Sequence, residues 1–145
     1  RLKYRNHRAA LPGLARAMAS LVPDPGAIGV VTWAPTTAAR RRQRGFDQAE
    51  LLARATARRL RRPCRRLLVR LPGLAQTGRP LAERRGSPQF RARFQLPGSS
   101  VLVVDDVITS GATVAAAALT LRRAGATSVA ALAAARTPRP GAGLH

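Results

Sequence analysis

The apolar positions change period along the chain, and the period predicts the elements. In "LPGLARAMASLV" (11–22) they recur at helical spacing behind Pro12 and Gly13, which predicts a short helix from Pro12 to Val22 ended by "PDPG" at 23–26. "AIGVVTW" (27–33) is a brief β-branched run stopped by Pro35, the pattern of a buried strand feeding a loop at Ala34–Ala39. "DQAELLARATARRLRR" (47–62) is amphipathic. At about 100° per residue, Ala49, Leu52, Ala53, Thr56 and Leu60 share one face, while Arg54, Arg58, Arg61 and Arg62 project from the other. Asp47, with Glu50 three residues on, has the spacing of a capping box.

Downstream the period shortens. A second strand is predicted at Cys64–Arg70, followed by a long stretch, 71–97, rich in Gly, Pro and Arg and without clear periodicity. Loops of that length inside a domain are typically lids or binding loops, so a basic flexible loop is expected, with short β pieces near Phe90–Gln95. Then come "SVLVV" (strand), "DDVITSGAT" (turn), "VAAAALTLRRA" (helix), Gly125 (helix stop) and "TSVAALAAA" (strand). That order is a β-α-β unit with parallel strands and a right-handed crossover. Gly125 suits a positive φ after the helix, and Arg122 and Arg123 favour the negative end of its dipole. The tail "RTPRPGAGLH" reads as a frayed terminus.

Composition narrows the classes. The 145 residues are sufficient for one domain, 1–145, and the chain begins at Arg1, so a preceding segment is expected. No apolar run approaches the roughly 20 residues of a membrane span, and a soluble, cytoplasmic protein is expected. Cys64 is the single cysteine, which excludes an internal disulfide and a cysteine cluster for metal; a small apolar packing role suits it better than that of a nucleophile. The formal net charge is +20, nearly all of it arginine. Such a charge attracts polyanions or phosphorylated small molecules, although GC-rich coding accounts equally well for the arginine excess. Only 3% of residues are aromatic, too few for an extended base-stacking platform.

Against that charge, two of only six acidic residues, Asp105 and Asp106, stand side by side at the end of an apolar strand. In doubly wound sheets ligands bind beyond the carboxyl ends of the strands. Adjacent carboxylates repel, and a cation or a set of hydroxyl donors offsets the cost. Thr109, Ser110, Gly111, Ala112 and Thr113 follow, with small side chains, hydroxyls and consecutive N–H groups at a helix start, an anion cradle suited to phosphate. Ribose 5-phosphate presents vicinal hydroxyls to the carboxylates and a phosphate to the turn.

"VLVVDDVITSGAT" (101–113) closely resembles the phosphoribosyl-pyrophosphate (PRPP) signature of type I phosphoribosyltransferases. A Walker B strand does not normally lead into Thr-Ser-Gly-Ala-Thr. "WAPTTAARRRQRGFDQAELLARA" (33–55) and "QTGRPLAERR" (76–85), with "AART" at 134–137, resemble blocks of the ComF family of competence-related phosphoribosyltransferase-like proteins, and the resemblance covers nearly the whole chain. It implies an α/β fold with a mostly parallel central sheet flanked by helices and a flexible basic loop. It implies that Asp105 and Asp106 hold the ribose hydroxyls, directly or through Mg²⁺, as the catalytic and metal-binding pair. Thr109, Ser110, Gly111, Ala112 and Thr113 would bind the 5-phosphate. Ala34, Pro35 and Thr36, within the loop Ala34–Thr37, would meet pyrophosphate, with charge from Arg40, Arg41, Arg42 or Arg44. Arg79, Arg84 or Arg85 would close over it from the flexible loop.

The departures are Trp33-Ala34-Pro35 where members commonly show Pro-Val-Pro, Asp47 where they show Asn, and "GSPQF" where an Asn-containing block often follows Glu-Arg-Arg. The cysteine pairs of the zinc-binding segment that many members carry do not occur in these 145 residues. The resemblance further implies phosphoribosyl transfer with release of pyrophosphate, PRPP as substrate with Mg²⁺, and a link to DNA uptake. The alternative is a non-catalytic, PRPP-sensing, single-stranded-DNA-binding protein working with competence machinery. No sequence feature sets the acceptor or an oligomeric state.

Overall fold

Parallel pairing of three apolar strands builds the centre of the molecule. In this computed structural model, residues 2–72, 88–108 and 111–136 are described. The elements are helix α1 (Leu2–Ser20), β1 (Val30–Trp33), α2 (Ala38–Arg44), α3 (Gln48–Leu60), β2 (Leu68–Arg70), β3 (Phe90–Ala92), β4 (Ser100–Ile108), α4 (Ala112–Arg123) and β5 (Ser128–Arg136). The sheet order is β1-β4-β5, with Val31 opposite Leu102 and Val104 opposite Leu132. β2 and β3 form an antiparallel pair, and just before it the chain runs parallel to β1 through a bridge between Val31 and Cys64.

Strand alternation divides the core into two layers. Val31, Trp33, Leu102 and Val104 face α1 and α3, meeting Met18, Leu52, Ala53 and Leu60. Val101 and Val103 face the other way, onto Ala117 and Leu121 of α4 and onto Leu67, Leu68 and Phe90. Helices therefore cover both sides of a parallel sheet, the arrangement expected for the fold class. No helix among the described residues is long and apolar enough to cross a membrane.

Four expectations need correction. α1 runs through Pro12 instead of starting there. A proline inside a helix loses one i→i−4 bond, and the stripe of Leu11, Leu14, Ala15 and Met18 along the core offsets that loss. β4 continues to Ile108, so Asp105 and Asp106 lie within the strand and not in a turn after Val104; β5 pairs with its whole length, from Ser100 opposite Ser128 to Ile108 opposite Arg136. Arg62 is half-buried, its Nη1 donating to the Ile28 carbonyl at 3.0 Å, and does not project outward as Arg54, Arg58 and Arg61 do.

The strand expected at Cys64–Arg70 is shorter: β2 covers only Leu68–Arg70, and Cys64 makes a lone bridge to Val31. The β-branched run begins its strand at Val30, after a 3₁₀ turn at Pro25–Ala27 capped by Asp24. α3 buries the anticipated face, Ala49, Leu52, Ala53, Thr56 and Leu60, together with Ala57. Gly125 has φ +115°, and a Cβ there would sit 3.1 Å from the Pro97 Cα and 3.2 Å from the Leu96 carbonyl, so glycine is required twice over. The tail from residue 137 and most of the 71–97 stretch, residues 73–87, lie outside the described residues.

Candidate functional site

The carboxyl edge of the sheet brings the candidate residues together. From β1 the chain turns through α2 and α3 to the Cys64 side; from β4 it turns through α4 to β5 on the opposite side. The two connections diverge between neighbouring strands, which opens a crevice at the carboxyl ends of β1 and β4, the place where doubly wound sheets bind ligands.

Asp105 stands on that edge, buried with 7% of its surface exposed, and Asp106 is half-buried. Asp105 Oδ1 accepts the Asp106 backbone N–H at 2.9 Å. Burial, then contact with the Asp106 side chain and its charge, then the charge of Asp47, push the Asp105 carboxyl up to about 7. A carboxyl so placed is half-protonated at neutral pH and is returned to its charged form by a cation or by hydroxyl donors.

The loop Ala34–Thr37 leaves β1 beside this pair. The Ala34 N–H donates to the Val104 carbonyl at 3.2 Å, tying the loop's first residue to the strand just before Asp105. Thr37 caps α2 through the Arg40 N–H at 3.1 Å, and Gly45, at φ +82°, ends that helix. Arg40 and Arg44 are thus presented on a short exposed helix instead of on the loop itself. Arg41, from the same helix, lines a cleft of about 110 Å³ together with Trp33, Thr36, Asp47, Arg66 and Arg70.

Asp47 is the N-cap of α3 and is buried. Its Oδ1 accepts the Ala49 N–H and its Oδ2 the Thr36 N–H, each at 3.0 Å. Burial raises its carboxyl above the ordinary range, while the N–H bonds from Thr36, Glu50 and Ala49 pull it back down. Glu50 does not return the capping-box bond with its side chain; it accepts from Arg54 Nε at 3.0 Å, and that guanidinium lies 5.1 Å over the Trp33 ring. Arg66 and Arg70 were not singled out from the sequence. The sequence offers only a weak signal for them, their place in the basic segment that runs beside β1.

On the opposite flank, Gly111 takes φ +85° with no atom within 4 Å of a would-be Cβ, and α4 starts from it. The backbone of Ala112 and Thr113 forms the first turn of α4, whose N–H groups have no partner within the helix. Thr109 and Ser110 lie outside the described residues, as do Arg79, Arg84 and Arg85. Cys64 is half-buried, and burial pushes its thiol up, which leaves little thiolate for chemistry.

Residues 47–141 match the phosphoribosyl transferase domain family. The chain belongs to that family. No curated protein matches it. Solved structures share the phosphoribosyl transferase fold. One is the allosteric regulatory enzyme of purine biosynthesis, 23% identical, with a TM-score of 0.62 over 89% of this chain and 26% of that one. An asparagine mutant of an invariant aspartic acid in HPRTs is 14% identical, with a TM-score of 0.53 over 93% and 77%. Hypoxanthine phosphoribosyltransferase from Trypanosoma cruzi, in a ternary substrates complex, is 16% identical, with a TM-score of 0.51 over 93% and 79%. The chain therefore spans about a quarter of the first structure's length and more than three quarters of the other two.

Proposed function

We propose that the chain is a ComF-type phosphoribosyltransferase that binds PRPP with Mg²⁺ and transfers the phosphoribosyl group to an acceptor, releasing pyrophosphate. The observation that supports it most is the carboxylate pair at the carboxyl end of β4, between the loop Ala34–Thr37 and the start of α4. On this reading Asp105 and Asp106 hold the ribose 2- and 3-hydroxyls. Thr109, Ser110, Gly111, Ala112 and Thr113 take the 5-phosphate, the last three through the backbone and small side chains of a helix start. Ala34, Pro35 and Thr36 face pyrophosphate with Arg40 and Arg44, and Arg79, Arg84 and Arg85 belong to a covering loop. Residues 1–145 then form one such domain, working in the cytoplasm and linked to DNA uptake.

The donor set suits Mg²⁺ in a particular way. No group of three His, Cys, Asp or Glu able to hold a metal occurs among the described residues. Two carboxylates do not cage a cation, but Mg²⁺ keeps waters and takes substrate oxygens as its remaining ligands. Asp105 and Asp106 would hold it, and when bound it offsets the negative charge that builds on the leaving pyrophosphate. In the transfer, the bond from the anomeric carbon to pyrophosphate breaks with its electron pair on pyrophosphate, and the acceptor's lone pair forms the new bond. The carboxylates stabilise positive charge on the sugar while arginines stabilise the leaving group.

Calorimetric titration of PRPP with Mg²⁺ into wild type and into Asp105→Asn, Asp106→Asn tests this. Binding to wild type and its loss by about 100-fold in the double variant are expected, the scale of two charge-assisted contacts. A folded wild type that does not bind PRPP would sink the reading.

One observation favours the alternative of a PRPP-sensing protein that binds single-stranded DNA. Phe94 is 38% exposed and is flanked by the guanidinium groups of Arg65 at 4.9 Å and Arg93 at 5.1 Å, an aromatic face among cations of the kind that stacks bases. Salt-dependent DNA binding that Phe94→Ala weakens, in a protein that binds PRPP without releasing pyrophosphate whatever acceptor is supplied, would support it.

A further inference from the structure

Three consecutive residues of the loop after β1 are each tied to a different element. Ala34 donates its N–H to Val104 of β4. The Pro35 carbonyl accepts from Arg70 Nη1 of β2 at 3.2 Å. Thr36 donates its N–H to Asp47 Oδ2, at the head of α3, at 3.0 Å.

The two side chains involved are themselves held. Asp47 is buried and uses both oxygens, one on Thr36 and one on Ala49. Arg70 is half-buried, and its guanidinium lies 5.6 Å from the Phe90 ring centroid. Burial, then the charge of Arg40, push its guanidinium down, and Asp105 and Asp47 only partly offset them. Both residues line the same cleft as Thr36.

We propose that Asp47 and Arg70 are positioning residues that brace the loop Ala34–Thr37 from two sides, Asp47 by the Thr36 amide and Arg70 by the Pro35 carbonyl, presetting its backbone for a diphosphate. The proposal rests on the PRPP reading for its ligand, not for its geometry. In this arrangement the Thr36 N–H is already engaged by the protein's own carboxylate. The loop therefore contributes shape, and the guanidinium groups around the cleft contribute the charge. A loop held in its bound form loses less entropy when the ligand arrives.

Asp47→Ser keeps an oxygen able to cap α3 but cannot serve Ala49 and Thr36 together. Arg70→Gln removes the reach to Pro35. Each variant is titrated with PRPP and, separately, with ribose 5-phosphate, both with Mg²⁺, and amide hydrogen exchange at Thr36 is followed without ligand. PRPP affinity is expected to fall about tenfold in each variant, ribose 5-phosphate affinity to stay within about twofold, and the double variant to lose less than the product of the two. Thr36 exchange is expected to quicken about tenfold in Asp47→Ser. Equal losses for both ligands would reduce the pair to general structural support and overturn the proposal, as would an unchanged PRPP affinity. If wild type binds neither ligand, the PRPP reading fails and Thr36 exchange alone decides: quickened exchange upholds the brace, unchanged exchange overturns it.

Discussion

Asp105 carries a cost of folding that its burial beside Asp106 explains. Its carboxyl, ordinarily near 3.8, is held up to about 7 by burial and by Asp106. Between those values the folded chain keeps a proton that the unfolded chain has released, so stability falls as pH rises from about 4 to 7 and levels off above. Asp105→Asn removes the penalty. The variant is expected to be more stable than wild type at pH 8, on the order of 1–2 kcal/mol, with the difference smallest near pH 4, where folded Asp105 is neutral and the unfolded side chain only partly charged. Urea unfolding at pH 4, 6 and 8 checks this, and an equal difference at all three would show that charge is not its source. Asp47 is also raised by burial, although three backbone N–H groups solvate it and offset part of that cost.

At the scale of elements, close approach decides which side chains are tolerated. α4 reads as alanine-rich, and the structure shows why: Ala117 is 0% exposed and sits among Val101, Val103 and Leu121, with no room for a longer side chain. Ala117→Leu is expected to cost about 1–3 kcal/mol through overpacking even though leucine is a good helix former. Ala115→Leu, exposed on the same helix, is the control and should change the urea midpoint little. α3 illustrates the complementary case. Its buried stripe follows from helical period, but its cap serves two elements at once, the helix through Ala49 and the preceding loop through Thr36.

For the whole molecule, the formal charge of +20 at pH 7 is an energetic term of its own. Among the described residues an ion pair joins Arg54 to Glu50 within one helix turn, and it is partly exposed, so it offsets little of the excess. Self-repulsion among arginines destabilises the compact state, and salt screens it over about 8–10 Å. Raising NaCl from about 20 to 200 mM is therefore expected to raise Tm by several degrees. Scanning calorimetry checks this, and a Tm that falls or stays constant would show that the arginines are already compensated within the fold. The same net charge attracts anions to the molecule, which is a rate effect and weakens as salt rises.

Local sequence determined the order of elements, the buried face of α3, the glycine after α4 and the carboxylate pair on its apolar strand, because each depends on period, capping or φ and so on neighbours within a few residues. Strand ends depended on more. Nothing local distinguishes Val104 from Ile108 as the end of β4; pairing along β5 decides it. Tertiary structure alone decided that Arg62 turns inward to Ile28, and that Arg70 and Asp47, with the whole of α3 between them in the chain, hold adjacent residues of one loop, Pro35 and Thr36. These outcomes turn on which elements become neighbours. The divergence of the chain at β1 and β4 sets those neighbours, and no single stretch of sequence contains it.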